Sequence, residues 1–399
     1  MDTKGEEHGF VANLIRRRGH QVLVVDTGTL AAPQLQPDIT RQEIAAAAGA
    51  DLAALVAQRD RGAAVAAMAR GAPVVLAKLV AERRIDGVIS LGGGGGTAIS
   101  TAAMRALPLG FPKLMVSTLA SGNTAPYVGV KDITMIPAVV DVAGLNRISR
   151  QILTRAAGAI CGMVESVPSP GEDKPIIVAS MFGNTTDSVQ AAKKLLEAAG
   201  YEVLVFHATG TGGRAMESLI ESGMVAGVLD ITTTEWADEL VGGILGAGPT
   251  RCEAAARHGV PAIVTPGCLD MVNFGAPDTV PAKFKDRTFY QHNPQVTLMR
   301  TTPEECAELG RILAEKVNLS TAPVTVLLPL QAISVISAPS QQFHDPIADR
   351  VLFTALKAFL RKDIELVELD CAINAPEFAH ACAEKLLANL AKCSRNPRT

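Results

Sequence analysis

The 399-residue sequence predicts an α/β protein made of two related halves with mainly parallel sheets. Two observations carry this. Short apolar runs alternate with amphipathic stretches along the whole chain, which is the pattern of parallel strands covered on both faces by helices. The chain also repeats itself, in four blocks that recur in one order. A chain of this length exceeds what one hydrophobic core usually supports, which agrees with two domains.

The first block is "DTKGEEHGFVANLIRRRGHQVLVVDTG" (2–28), echoed by "NTTDSVQAAKKLLEAAGYEVLVFHATG" (184–210). Each reads as a polar turn, an amphipathic helix, a glycine cap and a V-L-V strand. The second pairs "DGVISLGGGGGTA" (86–98) with "AGVLDITTTEWA" (226–237), each a strand opening toward a helix. The third pairs "GFPKLMVST" (110–118) with "GVPAIVTPG" (259–267), and the fourth pairs 132–157 with 295–318. "SVPSPGEDKP" (166–175) is rich in Pro, Ser, Gly and charge and reads as the linker. The expected domains are therefore 1–165 and 176–399, two Rossmann-like subdomains with a ligand cleft between them at the carboxyl ends of the strands. The tail adds strands near 324–328 and 364–369 and helices near 346–361 and 376–393, extending the second half.

The repeat has one defect. "PIIVASMFG" (175–183) is a full strand ahead of the second polar turn, whereas the first turn follows Met1 directly. The expectation is that the first strand of domain one is missing: either the sequence starts downstream of the biological start, or this sheet is built differently.

Composition narrows the function classes. With 48% hydrophobic and 19% charged residues the chain is a well-cored globular protein. Aromatics are 4%, with Trp236 the one tryptophan, so a base-stacking surface is not expected. Net charge is −3. The single basic run, Arg16-Arg17-Arg18, sits at a helix end where cations complement the dipole. No nucleic-acid or membrane partner is expected, and no apolar stretch reads as a membrane span. The seven cysteines contain no CxxC pair, so neither a disulfide framework nor a structural zinc is expected. Cys161, Cys252, Cys306, Cys382 and Cys393 read as small hydrophobes on helices. Together these point to a cytoplasmic protein.

The five glycines Gly92, Gly93, Gly94, Gly95 and Gly96, followed by Thr97, are the sharpest local signal. Glycine loses more backbone entropy on folding than any other residue. A run of it between a strand and a helix lets backbone N–H groups approach an anion, in the favourable field of the helix amino end. No Gly-Lys-Ser/Thr follows, so this is not a Walker A loop. No acid follows about twenty residues on, so the nicotinamide-dinucleotide version fails. Asp26, at a strand end, is placed for ribose hydroxyls. Thr3 and Lys4, at a helix start, are placed for phosphate, and Ser121, Gly122, Asn123 and Thr124 form a polar loop after a strand.

In the second half "ATGTGGRAMESLI" (208–220) is another glycine-rich helix opening with Arg214 at its start, a second candidate anion site. Asp230, Glu235, Asp238, Glu239, Asp270, Asn273 and His292 fall near strand ends, and Arg251 offers a carboxylate or phosphate partner. As a set they suit acid–base chemistry or a magnesium site, and Thr232–Glu235 also reads as a capping box. No metal-binding His spacing or Ser-His-Asp signature occurs.

Seven blocks, "DTKGEE", "LGGGGGT", "GTGGRAMESLI", "DITTTEWADELVGGILGAGPTR", "PGCLDMVNFG", "HNP" and "MRTT", resemble in order the family of ATP-binding-domain proteins typified by the plant inhibitor of tomato mosaic virus RNA replication. Most of its bacterial members are titled only as an uncharacterised family. The resemblance covers residue 1 to about 362. It implies two Rossmann-like subdomains, ATP with magnesium on the first, and a homodimer. The phosphates would lie on Gly92–Thr97 and near Thr3 and Lys4. In the family a strand ending in Gly-Thr-Leu precedes Asp-Thr-Lys, and here Met1 stands in place of that Leu.

The resulting expectation is an ATP-dependent enzyme. Phosphoryl transfer to a small anionic metabolite would occur near Glu235, Asp270, His292, Arg214 and Asn273. The alternatives are a non-catalytic ATP-binding regulatory or interaction protein, and a nucleotide-independent isomerase or lyase holding a phosphorylated metabolite.

Overall fold

A computed structural model describes residues 1–58, 60–167, 171 and 173–394. The chain divides into two compact units, Met1–Pro170 and Gly171–Thr399. Part of the predicted linker, residues 168–170 and 172, lies outside the described residues.

The first unit runs α1 (Gly5–Arg17), α2 (Arg41–Ala47), α3 (Leu52–Gln58), α4 (Arg61–Ala81), β1 (Val88–Gly92), α5 (Gly94–Arg105), β2 (Lys113–Ser117), α6 (Ala125–Val128), β3 (Thr134–Pro137) and α7 (Arg147–Glu165). The strands form a parallel sheet in the order β1-β2-β3. Buried side chains lie on both faces of it. Val11 and Ile15 of α1 pack with Leu153, Ala156 and Ile160 of α7 against Leu91, Leu114 and Val116. A second cluster joins Ile44, Met68, Ala72, Leu76, Ile99 and Ala103. Helix α4 is the one described helix long and apolar enough to cross a membrane, which corrects the expectation that none is. It contains Pro73, and Ala64, Ala67, Met68, Ala72, Leu76 and Leu79 are buried within the unit.

The predicted V-L-V strand at Val22–Val25 is a second correction. It forms one isolated parallel bridge, Val25 with Ile39. In the second unit the equivalent strand pairs with a strand that precedes its helix. Among the described residues no strand precedes α1, so this run lacks that neighbour. Its polar groups turn instead to Asp38 and Ile39: Val24 O accepts from both backbone N–H groups, and Asp26 N–H donates to Ile39 O at 2.9 Å.

The second unit runs β4 (Ile176–Met181), α8 (Thr186–Ala198), β5 (Glu202–His207), α9 (Thr211–Glu221), β6 (Val225–Thr232), α10 (Glu235–Val241), α11 (Ala254–His258), β7 (Ala262–Gly267), β8 (Met271–Phe274), β9 (Phe289–Asn293), β10 (Val296–Arg300), α12 (Pro303–Asn318), β11 (Val324–Pro329), α13 (Pro346–Phe359), β12 (Glu365–Leu369) and α14 (Pro376–Ser394). Six strands form a parallel sheet in the order β12-β11-β7-β6-β4-β5. The order reverses between β4 and β6, the position where doubly wound sheets open a crevice. Ile177, Leu196, Leu229, Phe378 and Leu386 belong to the core on one face. The fourth repeat block diverges here. Its first copy supplies β3 to the parallel sheet, whereas its second supplies β10 to a separate antiparallel sheet, β8-β10-β9.

Candidate functional site

In the first unit Gly92, Ser117 and Pro137 stand in register at the carboxyl ends of β1, β2 and β3 and form the rim of the sheet. Beyond Gly92 the backbone passes through Gly93 (φ −87°, ψ −156°) and is helical from Gly94. Thr97 N–H donates to Gly93 O at 2.8 Å. The N–H groups of Gly94, Gly95 and Gly96 find no acceptor among the described residues, and no side chain caps α5. Thr40, Asp60 and Asn146 cap α2, α4 and α7, so α5 is not left open for want of a usual solution.

What the glycines are for can be tested against the packing. None of the five has a positive φ, so conformation does not require them. A Cβ on Gly92 would come within 3.1 Å of Gly96 Cα, which is tight. On Gly93, Gly95 or Gly96 it would make ordinary contacts at 3.5–3.6 Å, and on Gly94 it would meet nothing within 4 Å. Internal packing thus explains one glycine of five. Three glycines in a first helical turn cost about 1 kcal/mol each against alanine, and the packing of the described residues does not require them.

Other groups converge on this rim. Thr118 N–H donates to Gly92 O at 3.2 Å, which seats the loop carrying Ser121, Gly122, Asn123 and Thr124. Ser121, Gly122 and Asn123 are exposed, and Asn123 Oδ1 accepts from Ala125 N–H at 3.2 Å to open α6. The loop after β3 holds the start of α1: Lys4 Nζ donates to Val142 O, and Gly144 N–H donates to Glu7 Oε1 at 2.6 Å. Thr3 is exposed beside Lys4. In the same loop Val139 has φ +64°, is 78% exposed, and is spanned by a Val140 N–H to Ala138 O bond of 2.7 Å. Such a turn is strained for a β-branched residue.

Three first-unit residues differ from their predicted roles. Thr97 is fully buried, and its Oγ1 pairs with Ser117 Oγ at 2.7 Å, so its hydroxyl faces the core. Lys4 Nζ donates to the Val142 carbonyl, which ties one of its three N–H groups to the protein. Asp26 is 1% exposed; its Oδ1 accepts from the Met1 amine at 2.9 Å and Gly28 N–H at 2.8 Å, and only Oδ2 is unpartnered. The structure also adds a residue that the sequence did not mark. Arg61, the first residue of α4, places its Nη2 3.9 Å from the Cβ position of Gly95, with no ion-pair partner among the described residues. No spacing rule links it to a glycine run more than thirty residues later in the chain; the packing of α4 on α5 brings them together.

The second glycine-rich opening is closed. Glu235 Oε1 accepts from Gly210 N–H at 2.7 Å and Gly213 N–H at 3.1 Å, so a protein carboxylate sits where an external anion was expected. Its other oxygen accepts from Arg251 Nε at 2.6 Å. The Arg251 guanidinium also grips Asp230 through two bonds of 2.6 and 2.7 Å and Glu217 at 3.0 Å. Ser180 Oγ donates to Asp230 at 2.6 Å, and Cys252 and Ala254 N–H groups donate to Glu217, each at 2.8 Å. Burial alone would lower the Arg251 pKa, but Asp230 and its neighbours hold it well above the usual range. Burial raises that of Glu217 against the pull of Arg251. Cys252, expected on a helix, lies in the turn beside Arg251 with φ +68°.

The remaining second-unit candidates separate. Asp238 accepts from Asn273 Nδ2 at 2.6 Å and Asn273 N–H at 3.0 Å, and burial pushes its pKa up to about 7. Asp270 is fully buried and takes Ser334 Oγ at 2.7 Å, and nearby Arg300 pairs with Asp349 at 2.5 Å. Glu235, Asp270 and Asn273, expected as catalytic residues, are each at most 1% exposed and bond to other side chains of the fold. The capping box at Thr232–Glu235 is absent as well, because Thr232 Oγ1 pairs with Thr185 and Glu235 turns to α9. Arg214 and His292 are exposed, on α9 and β9. No group of three or more His, Cys, Asp or Glu side chains forms a metal-ligand set among the described residues.

Comparison with known proteins places most of the chain. Residues 1–169 match the N-terminal domain of the uncharacterised protein family UPF0261, and residues 174–390 match its C-terminal domain. The chain belongs to this family. A UPF0261 protein of Clostridium tetani is 50% identical over 98% of this chain and 98% of its own length. One from Rhizobium meliloti is 48% identical over 95% of each chain. The ToMV resistance protein Tm-1 of Solanum lycopersicum is 41% identical over 82% of this chain and 44% of its own, longer sequence. These relatives agree with the resemblance seen in the seven sequence blocks.

Proposed function

We propose that this UPF0261 member binds ATP, with its phosphates on the backbone N–H groups of Gly94–Gly96. One observation carries the reading. Four glycines of the run have no conformational or packing reason to be glycine, yet they open a helix whose first N–H groups are unpaired. A helix amino end with free N–H groups attracts phosphate, and glycine lets the phosphate oxygens approach the backbone. The choice of ATP rests on the sequence blocks shared with the ATP-binding-domain family. A magnesium ion fits as a companion of the phosphates rather than as the guest of a protein cage, since it commonly keeps waters and binds substrate phosphates.

Phosphoryl transfer to a small anionic metabolite is the enzymatic form of this reading, and exposed Arg214 and His292 are its remaining second-unit candidates. A specific observation favours the other form, a nucleotide-binding module without turnover: Glu235, Asp270 and Asn273 are at most 1% exposed and each makes internal bonds. Calorimetric titration with Mg-ATP tests the binding claim. The parent protein is expected to bind, and Gly94→Val, whose side chain enters open space, to bind at least a hundredfold more weakly with an unchanged melting temperature. Equal affinity in parent and variant would remove ATP from this loop.

A further inference from the structure

We infer that Arg61 is the specificity residue of the glycine-run site and sets its preference for the number of phosphates on the ligand. This rests on the proposal that phosphate binds there. The glycine N–H groups carry partial charges only, and they would accept a monophosphate as readily as the end of a longer chain. Any full positive charge that the protein itself contributes must come from a side chain. Lys4, the cation expected from the sequence to lie at the phosphates, donates to the Val142 carbonyl. Arg61 is exposed, has no partner among the described residues, and lies with Nη2 3.9 Å from the Gly95 Cβ position.

Its position is otherwise unfavourable. Arg61 is the first residue of α4, where the helix field disfavours a cation, and the neighbouring N-cap carboxylate, Asp60, accepts from Ala63 N–H rather than from Arg61. Val65, one turn further along α4, lies 3.5 Å from the same Gly95 position and fixes the two helix starts against each other. The guanidinium therefore stands at the edge of the opening, where a second or third phosphate extending beyond the N–H cradle would meet it. A planar guanidinium binds such a group through two parallel bonds.

The test is titration with ATP, ADP and AMP, each with magnesium, of the parent, Arg61→Gln, Arg61→Lys and Gly94→Val proteins. The parent should show affinity rising from AMP to ATP. In Arg61→Gln the ATP affinity should drop about ten- to a hundredfold while AMP is held nearly as before, flattening the series. Arg61→Lys should restore part of the slope, since it keeps the charge and loses the two-bond geometry. An unchanged slope in Arg61→Gln, with binding still abolished in Gly94→Val, would overturn the role of Arg61 and leave the site standing. Equal loss for all three nucleotides would also overturn it. No binding by the parent would overturn both the site and the inference. Because Arg61 has no partner among the described residues, Arg61→Gln should melt with the parent, so loss of folding cannot imitate the expected result.

Discussion

Two glycine-rich helix openings, 92–97 and 208–213, look alike in sequence and differ in structure. At the second, each glycine beside the helix start answers to the protein itself. A Cβ on Gly212 would overlap the His207 carbonyl, and one on Gly213 would overlap the Glu235 carboxylate. Glu235 occupies the N–H cradle, and Arg251 holds Glu235, Asp230 and Glu217 around it. At the first opening no side chain among the described residues caps the helix, and four of five glycines are unforced. The lesson is that a glycine-rich turn before a helix offers N–H groups to an anion and does not say which one. Whether that anion is internal or external is decided by a residue distant in sequence, here Glu235.

The comparison breaks most visibly at Gly213. Gly213→Ala is expected to expel Glu235 and leave part of the Arg251 network unpaired, at a cost of about 3–5 kcal/mol, read as a lower denaturation midpoint. A change below about 1 kcal/mol would mean that the closed opening is looser than described.

The closed region also carries a titration. Asp238, with its pKa pushed up to about 7 by burial, holds a proton in the folded protein at pH values where the unfolded chain, near 4, has released it. Its contribution to stability is full below about pH 4 and is lost as pH rises through about 7. Stability of the second unit should therefore fall by an amount on the order of 1–3 kcal/mol between pH 5 and 8, measured by denaturant unfolding across that range. Flat behaviour would contradict the buried, protonated assignment.

The smallest effect is expected at the open end. Gly94 is helical with free space at its Cβ position, so Gly94→Ala should raise stability by about 0.4–1 kcal/mol through the unfolded state while weakening ATP. Opposite signs for stability and affinity in one variant would mark a glycine retained for a ligand. A loss of stability would mark a packing role instead.

Much of this was legible in the sequence. Helix and strand alternation placed β1, α5, β2 and the C-terminal strands and helices, because their apolar periodicity is strong. The Val22–Val25 run has equal apolar character and still forms no ladder, since strand pairing depends on a neighbour that local pattern does not report. The open helix start at the glycine run was legible for a local reason: backbone N–H geometry follows from strand, glycine and helix in succession. The second-unit candidates were not. Asp230, Glu235, Asp270 and Asn273 sit near strand ends, as functional residues do, but partners far along the chain, Arg251 and Ser334 among them, turn them inward. Arg61 was missed because its proximity to Gly95 is a product of α4 packing on α5.

The most direct measurement follows the glycine backbone N–H resonances by NMR during titration with Mg-ATP. The account predicts large shifts for Gly94, Gly95 and Gly96 and none for Gly210 and Gly213, whose N–H groups already donate to Glu235. Unmoved resonances at 94–96, or shifts confined to 210 and 213, would contradict it.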